Sequence, residues 1–330
     1  VSKRRLNDRQ RRRIAHRRSR GAVDAGDDPA GGDEQAGTVI AQYGQQVDLL
    51  DADGETRRCF LRANLETPVA GDRVIFRAGD SDAGEDGVVV ALQPRHSALQ
   101  RPDKFGALRT IAANIDLVVI VVAPLPEPHA NLIDRYLVAT EVLGAEALIF
   151  LNKCDLLDAP DADALDTLLA PYRALGYTVL RGAARDAVPA ALREALSGRD
   201  SILVGQSGVG KSTLLNALLP AAEQRIGALS EEVGKGRHTT TTARRFSLPS
   251  GGALIDSPGI REFGLWHLDR GSVQEGFREI RALAGECRFR DCRHEGEPGC
   301  AVIAAAEDGR IDPQRLASYR RIIASIEEER

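Results

Sequence analysis

The run Gly205-Gln-Ser-Gly-Val-Gly-Lys-Ser212 admits few folds. Its glycines let backbone N–H groups curl around phosphates, and a lysine adds positive charge. Such a loop works only between a buried strand and a helix whose N-terminus faces the anion. Both flanks are predicted, the apolar Ser201–Val204 before it and the helical run Thr213–Leu219 after it. Gly205, Gln206, Ser207, Gly208, Val209, Gly210, Lys211, Ser212 and Thr213 are therefore expected to hold a nucleotide. Lys211 would also act on the β and γ phosphates, and the Ser212 hydroxyl would ligate Mg²⁺. A Gly-rich turn with a stray lysine is the bland alternative, and pattern and context together argue against it.

The surrounding rhythm agrees. Strands are predicted at Ile115–Ala123, Ala147–Leu151, Tyr177–Arg181 and Ser201–Val204, with helices at Leu132–Leu143, Ala164–Leu175 and Val188–Leu196 between them. Uninterrupted apolar strands alternating with helices mean a mostly parallel sheet covered on both faces. At the end of the second strand stands Asn152-Lys153-Cys154-Asp155. A carboxylate there accepts from N1–H and the 2-amino group of guanine together, a donor pair that adenine lacks. Asp155 is the expected specificity residue, with Asn152 and the stem of Lys153 beside the base. Cys154 reads as packing. Gly182-Ala183, after Tyr177–Arg181, is the candidate to close behind the base by a backbone amide. Asp256-Ser-Pro-Gly259 follows the apolar Ala253–Ile255. Asp256 is expected on the magnesium side and the Gly259 N–H at the γ-phosphate. A switch threonine from Thr239, Thr240 and Thr241, with Thr240 the candidate, would complete the magnesium shell. The same run also suits the opening of a strand.

The order of these motifs is inverted. A GTPase ordinarily presents the phosphate loop first and the guanine motif last; here NKCD precedes GQSGVGKS and DSPG comes at the end. The chain reads as a circular permutation, tolerated where the termini of a domain lie close together. The segment after Gly259 then leads directly into the C-terminal region.

On either side the composition changes. Residues 1–20 carry ten basic side chains against Asp8 alone, on a chain of net charge −4. A basic arm on an acidic body suits a nucleic-acid grip. With the Gly/Asp/Ala stretch behind it, the segment 1–35 is expected to be disordered. Short alternating runs at Thr38–Tyr43, Val47–Leu50, Arg58–Ala63, Arg73–Arg77 and Gly87–Leu92 predict a small OB-type barrel over 36–105. No apolar stretch is long enough for a membrane span, and five cysteines, an odd number, suit a reducing compartment. Cytoplasmic location is expected. Within 266–330, Cys287, Cys292, His294 and Cys300 form a closed Cys₃His set with the softness and spacing of a structural zinc site. Cys59 reads as packing.

NKCD, GQSGVGKS, GRHTTT, DSPGIREFGL and the Cys/His set with Glu297-Pro-Gly-Cys-Ala301, in this order, resemble the ribosome small-subunit-dependent GTPase A (RsgA/YjeQ) family over residues 36–330. The resemblance implies a multidomain α/β protein: an OB-fold barrel, a permuted P-loop GTPase domain over 106–265, and a mainly α zinc-binding domain. It implies GTP, Mg²⁺ and one zinc ion, hydrolysis of GTP stimulated by the 30S subunit, contact with 16S rRNA, and a role in late subunit maturation. A monomer is expected. The sequence departs from the family at Gly182, where serine is common.

Many GTPases place a glutamine after the DxxG glycine to orient water; here the residue is Ile260. Slow intrinsic turnover, roughly 10⁻⁴–10⁻² s⁻¹, is expected. His238 is the candidate catalytic residue, the alternative being that it grips RNA or shapes its loop. Arg288, Arg290 and Arg293 could reinforce an RNA grip or form a solvated rim. Two other classes compete: a P-loop kinase or ATPase, against which Asp155 argues, and a zinc-containing RNA-binding module whose nucleotide site is only structural.

Overall fold

The computed structural model describes residues 33–79, 87–103, 105–219, 243–256 and 268–328. The basic arm, His238, Thr239–Thr241, Gly259 and Ile260 lie outside the described residues. The chain divides into two compact units, 1–95 and 96–330.

In the first unit, alternating sequence produces strands β1 (Glu34–Tyr43), β2 (Gln46–Asp51), β3 (Thr56–Leu61), β4 (Arg73–Arg77) and β5 (Gly87–Leu92). β1 pairs with β2 and β4, β2 with β3, β3 with β5, and β5 with β4, so the ring closes. Closure removes the free edges that would template association, and the result is an OB-type barrel. Val39, Val47, Leu49, Cys59, Val74, Phe76 and Val89 fill it. Gly37 sits where a Cβ would meet Leu49 Cδ1 at 2.9 Å, so the barrel wall leaves no room for a side chain there. Buried Asp72 accepts Arg95 Nε at 2.7 Å and Val69 N–H at 2.7 Å, closing the β3–β4 connection.

The second unit opens with a hairpin, β6 (Ala98–Pro102) and β7 (Leu108–Ala113). Sequence patterning did not predict it; the missing N–H of Pro102 is tolerable in a two-stranded ribbon. The main sheet follows: β8 (Leu117–Val122), β9 (Glu146–Leu151), β10 (Thr178–Arg181), β11 (Asp200–Val204), β12 (Arg244–Ser247) and β13 (Ala253–Asp256). Its order is β10-β9-β8-β11-β13-β12, parallel except for β12 on β13. Every residue of β8 is buried, as a strand covered on both faces requires. Helices α1 (Ala130–Leu143), α2 (Ala159–Ala174), α3 (Ala190–Leu196) and α4 (Lys211–Leu218) make the connections. The chain runs outward through β8, β9 and β10, then restarts at β11 and proceeds the other way. The crevice between β8 and β11 is thus a topological switch point, the place where open α/β sheets bind ligands.

The C-terminal residues form α5 (Arg270–Gly276), α6 (Arg278–Ala284), α7 (Ala301–Glu307) and α8 (Pro313–Glu328), a mainly helical region within the same compact unit. α5 and α8 pack on α1. Gly276 lies so close that a Cβ would meet Val138 Cα at 2.9 Å. Arg315 of α8, 2% exposed, pairs with Asp134 of α1 and with Glu279 of α6, the latter at 2.7 Å. The Tyr172 hydroxyl donates to Asp134 at 2.8 Å. Burial pushes the Asp134 carboxyl above its usual range, and the Arg315 charge pulls against that. Among the described residues, no helix is long and apolar enough to cross a membrane.

Candidate nucleotide site and metal centre

The sequence motifs converge because each follows a parallel strand at its carboxyl end. β11 runs into Gly205–Gly210, β9 into Asn152–Asp155, β10 into Gly182-Ala183, and β13 ends on Asp256. The phosphate loop closes on Gly210, whose φ of 97° caps α4 in the left-handed region, and Gly208 is left-handed at 87°. At Gly205 a Cβ would fall on the Val121 carbonyl. The loop thus needs glycine for close approach as well as for conformation.

Asn152 ties the pieces together. It is 2% exposed; its Nδ2 donates to Val209 O at 2.9 Å and its Oδ1 accepts Ala184 N–H at 2.9 Å. One side chain therefore joins the phosphate loop to the segment after β10. Lys153, at φ 59°, extends its ammonium to Gly208 O at 2.6 Å and Leu125 O at 3.1 Å. This draws the lysine stem across the site, where a planar base could rest on it. Asp155 is exposed in the short 3₁₀ turn Cys154–Leu156, available to a ligand. Lys211 Nζ donates to Gly205 O at 2.7 Å and Gln206 O at 2.6 Å, so the ammonium lies inside the loop among oxygen acceptors. Phosphate oxygens would take the place of those carbonyls. Ser212 and Thr213 are exposed at the start of α4. The donor set at this end, a lysine, a hydroxyl, Asp256 and the amides of a helix N-terminus, fits a nucleotide polyphosphate with its divalent cation.

Gly182 has a reason of its own. A Cβ there would stand 2.5 Å from Pro189 Cγ and 3.5 Å from Phe150. Glycine at 182 and proline at 189 are matched. Meanwhile Gly182 N–H donates to Leu151 O at 2.9 Å, and its carbonyl accepts Cys154 N–H at 3.1 Å, so the segment stays pinned to NKCD without a side chain. Sequence patterning missed Ala184, since only its backbone acts.

The Cys/His set is assembled as a compact cluster. The ligand atoms of Cys287, Cys292, His294 and Cys300 all lie within 4.8 Å of one another. His294 Nδ1 is 3.3 Å from Cys300 Sγ and 3.6 Å from Cys287 Sγ, and the Cys287 and Cys300 sulfurs are 4.0 Å apart. Tetrahedral zinc with bonds of about 2.3 Å to sulfur and about 2.0 Å to nitrogen separates its ligands by about 3.5–3.8 Å. The set therefore fits zinc. His294 is 1% exposed, and its Nε2 lies 3.1 Å from Gln274 Oε1. With that carbonyl as acceptor, Nε2 carries the proton and Nδ1 presents its lone pair to the sulfurs. Gln274 is a second contributor that the spacing of ligands did not disclose. Glu297 braces the knuckle: backbone N–H groups of Arg293, Glu295 and Gly296 hold its carboxyl down to about 2. Burial, reinforced by the neighbouring thiols, pushes the Cys292 thiol up to about 12, a penalty that a bound cation reverses. Arg288, Arg290 and Arg293 are exposed around this knuckle.

Residues 92–266 match the RsgA GTPase family. The chain is 54% identical to the small ribosomal subunit biogenesis GTPase RsgA of Pseudomonas aeruginosa (strain UCBPP-PA14) over 339 residues, covering 99% of each. It is 58% identical to the protein of that description from Azotobacter vinelandii (strain DJ), over 90% of this chain and 87% of the other. The fold is similar to a crystal structure of YjeQ from Thermotoga maritima, at TM-score 0.74 and 29% identity over 89% of this chain and 99% of that one. It is similar also to YloQ, described as a circularly permuted GTPase, at TM-score 0.73 and 26% identity over 90% and 96%.

Proposed function

The chain belongs to the RsgA GTPase family, and on that premise we propose that it hydrolyses GTP on the small ribosomal subunit during the biogenesis of that subunit. The observation that carries the reading is Asn152, which joins the phosphate loop to the base-side segment in a chain whose guanine motif comes first.

In this reading the loop amides and Lys211 hold the phosphates, Asp155 reads guanine, and Lys153 supports the base. Ser212, Asp256 and Thr240 would hold Mg²⁺, which would supply charge to neutralise the phosphates. The Gly259 N–H would register the γ-phosphate. Ile260 cannot orient water, so turnover on the subunit waits for another group; His238 is the candidate for it. The Cys₃His set would hold one zinc ion in a structural role, with no open position for chemistry. Contact with 16S rRNA is assigned to the barrel, to the arm of residues 1–20 and to Arg288, Arg290 and Arg293. The division into an arm (1–35), a barrel (36–105), a GTPase domain (106–265) and a zinc domain (266–330) belongs to the same reading, as do a monomeric state and a cytoplasmic setting.

The test is the rate of phosphate release from GTP with and without purified 30S subunits. A rise with 30S is expected; an unchanged rate sinks the proposal. Competition by ATP would mark a P-loop ATPase instead. With His238→Ala, loss of the stimulated rate alone is expected, and full stimulation removes histidine from the mechanism. Deleting residues 1–20 should weaken 30S binding and flatten its salt dependence, and an unchanged slope removes the arm from the interface.

A further inference from the structure

Gly205, the first residue of the phosphate loop, is held at both of its peptide groups. Its carbonyl accepts the Lys211 ammonium at 2.7 Å. Its N–H donates to the hydroxyl of Tyr136, on α1. Tyr136 is 7% exposed and lines, with His129, Ile133, Gly205 and Gln206, a small cleft between α1 and the loop. The glycine cannot relax toward β8, because the Val121 carbonyl stands where a side chain would begin.

The two holds differ in permanence. When phosphates arrive, Lys211 must turn from the carbonyls of Gly205 and Gln206 to the phosphate oxygens. Tyr136 makes no such exchange, since its partner is the amide of a residue upstream of the phosphate-facing turn. Its own helix is also fixed. α1 buries Ile133, Asp134, Leu137, Val138 and Thr140, and Asp134 is clamped by Arg315 from α8. A hydroxyl mounted on such a helix holds its bonding partner with little freedom to lose.

We propose that Tyr136 is a positioning residue for nucleotide binding, fixing the entrance of the phosphate loop from the α1 side while Lys211 moves to the phosphates. Nucleotide seated on the loop would cover Gly205, already buried in the ligand-free chain, still further, so an amide without the hydroxyl would find a replacement partner less readily in the bound state than in the free one. The loss therefore falls on the bound state and weakens binding. It does not touch the transferred phosphate, so turnover at saturation is spared.

The test is Tyr136→Phe in the full chain, which removes one oxygen and keeps the ring. The expected result is about a tenfold weaker affinity for a fluorescent GDP analogue. The KM for GTP should rise in parallel, with saturated kcat within about twofold and preference for guanine over adenine unchanged. Unchanged affinity, or a lower kcat at unchanged KM, overturns the proposal. A merely structural tyrosine would lower the melting temperature of the nucleotide-free protein and leave KM alone, which also overturns it. Should Tyr136→Phe fail to fold, amide hydrogen exchange at Gly205 in the unaltered protein decides. Protection with GDP bound is expected, and rapid exchange in that state refutes the hydrogen bond on which the inference stands.

Discussion

Replacing Asn152 by alanine tests the joint on which the nucleotide site is built. The substitution orphans two buried backbone groups, the carbonyl of Val209, which is 1% exposed, and the N–H of Ala184, which is 4% exposed. Each stranded group costs about 1–3 kcal/mol. The side-chain amide also fills the space that a Cβ on Gly210 would take, and its removal leaves that space empty. The two stranded groups together cost about 2–6 kcal/mol, a large part of the ~5–15 kcal/mol that holds an ordinary domain. For a unit of this size, at about 2–4 °C per kcal/mol, that corresponds to a fall of about 4–24 °C in Tm. The assay is thermal unfolding of the nucleotide-free protein beside titration with a fluorescent GDP analogue. Affinity should fall with stability, because the phosphate loop and the base-side segment lose their common anchor. Asp155→Asn is the contrast: Asp155 is exposed, so stability should stay within about 0.5 kcal/mol while guanine selectivity is lost. If Asn152→Ala melts with the unaltered protein and binds GDP as well, the bridging argument is wrong.

Other outcomes follow from the same geometry. Gly182→Ser should destabilise by about 1–3 kcal/mol through its clash with Pro189, and Pro189→Ala should recover part of that in unfolding measurements on the double variant. Arg315→Met should cost about 3–5 kcal/mol by denaturant titration, because Asp134 and Glu279 are left buried without their cation. Metal analysis should return one zinc per chain, lost in Cys300→Ser, with a lower Tm for the C-terminal helices after chelation. In the barrel, the side-chain bond from Arg57 and the backbone N–H of Glu55 hold the Asp51 carboxyl below its ordinary 3.8. A depressed carboxyl stabilises above its unfolded value and stops doing so as pH falls through the folded one. Asp51→Asn should therefore flatten the stability profile of the barrel below about pH 4, read by unfolding across pH.

What the sequence determined alone was local and periodic. Period-two alternation located the barrel strands to within a few residues, and unbroken apolar runs such as Leu117–Val122 marked strands buried on both faces. Motif order disclosed the permutation, since glycines, NKCD and DSPG are contiguous words that survive a change of register along the chain. Gly182 and the hairpin Ala98–Ala113 show where local reading stops: one looked like a missing serine, the other was not predicted. Tertiary structure decided everything that depends on residues distant in sequence. Asn152 meets Val209 57 positions away, Arg315 meets Asp134 181 positions away, and Gln274 meets His294 20 positions away. Those contacts leave no periodic trace, because a side chain buried against a backbone carbonyl or a distant charge obeys geometry set by the packed sheet and helices. The phosphate loop could be read letter by letter; the tyrosine beside it, and the bridging role of an asparagine already legible in NKCD, became visible only when α1 and β9 were folded against it.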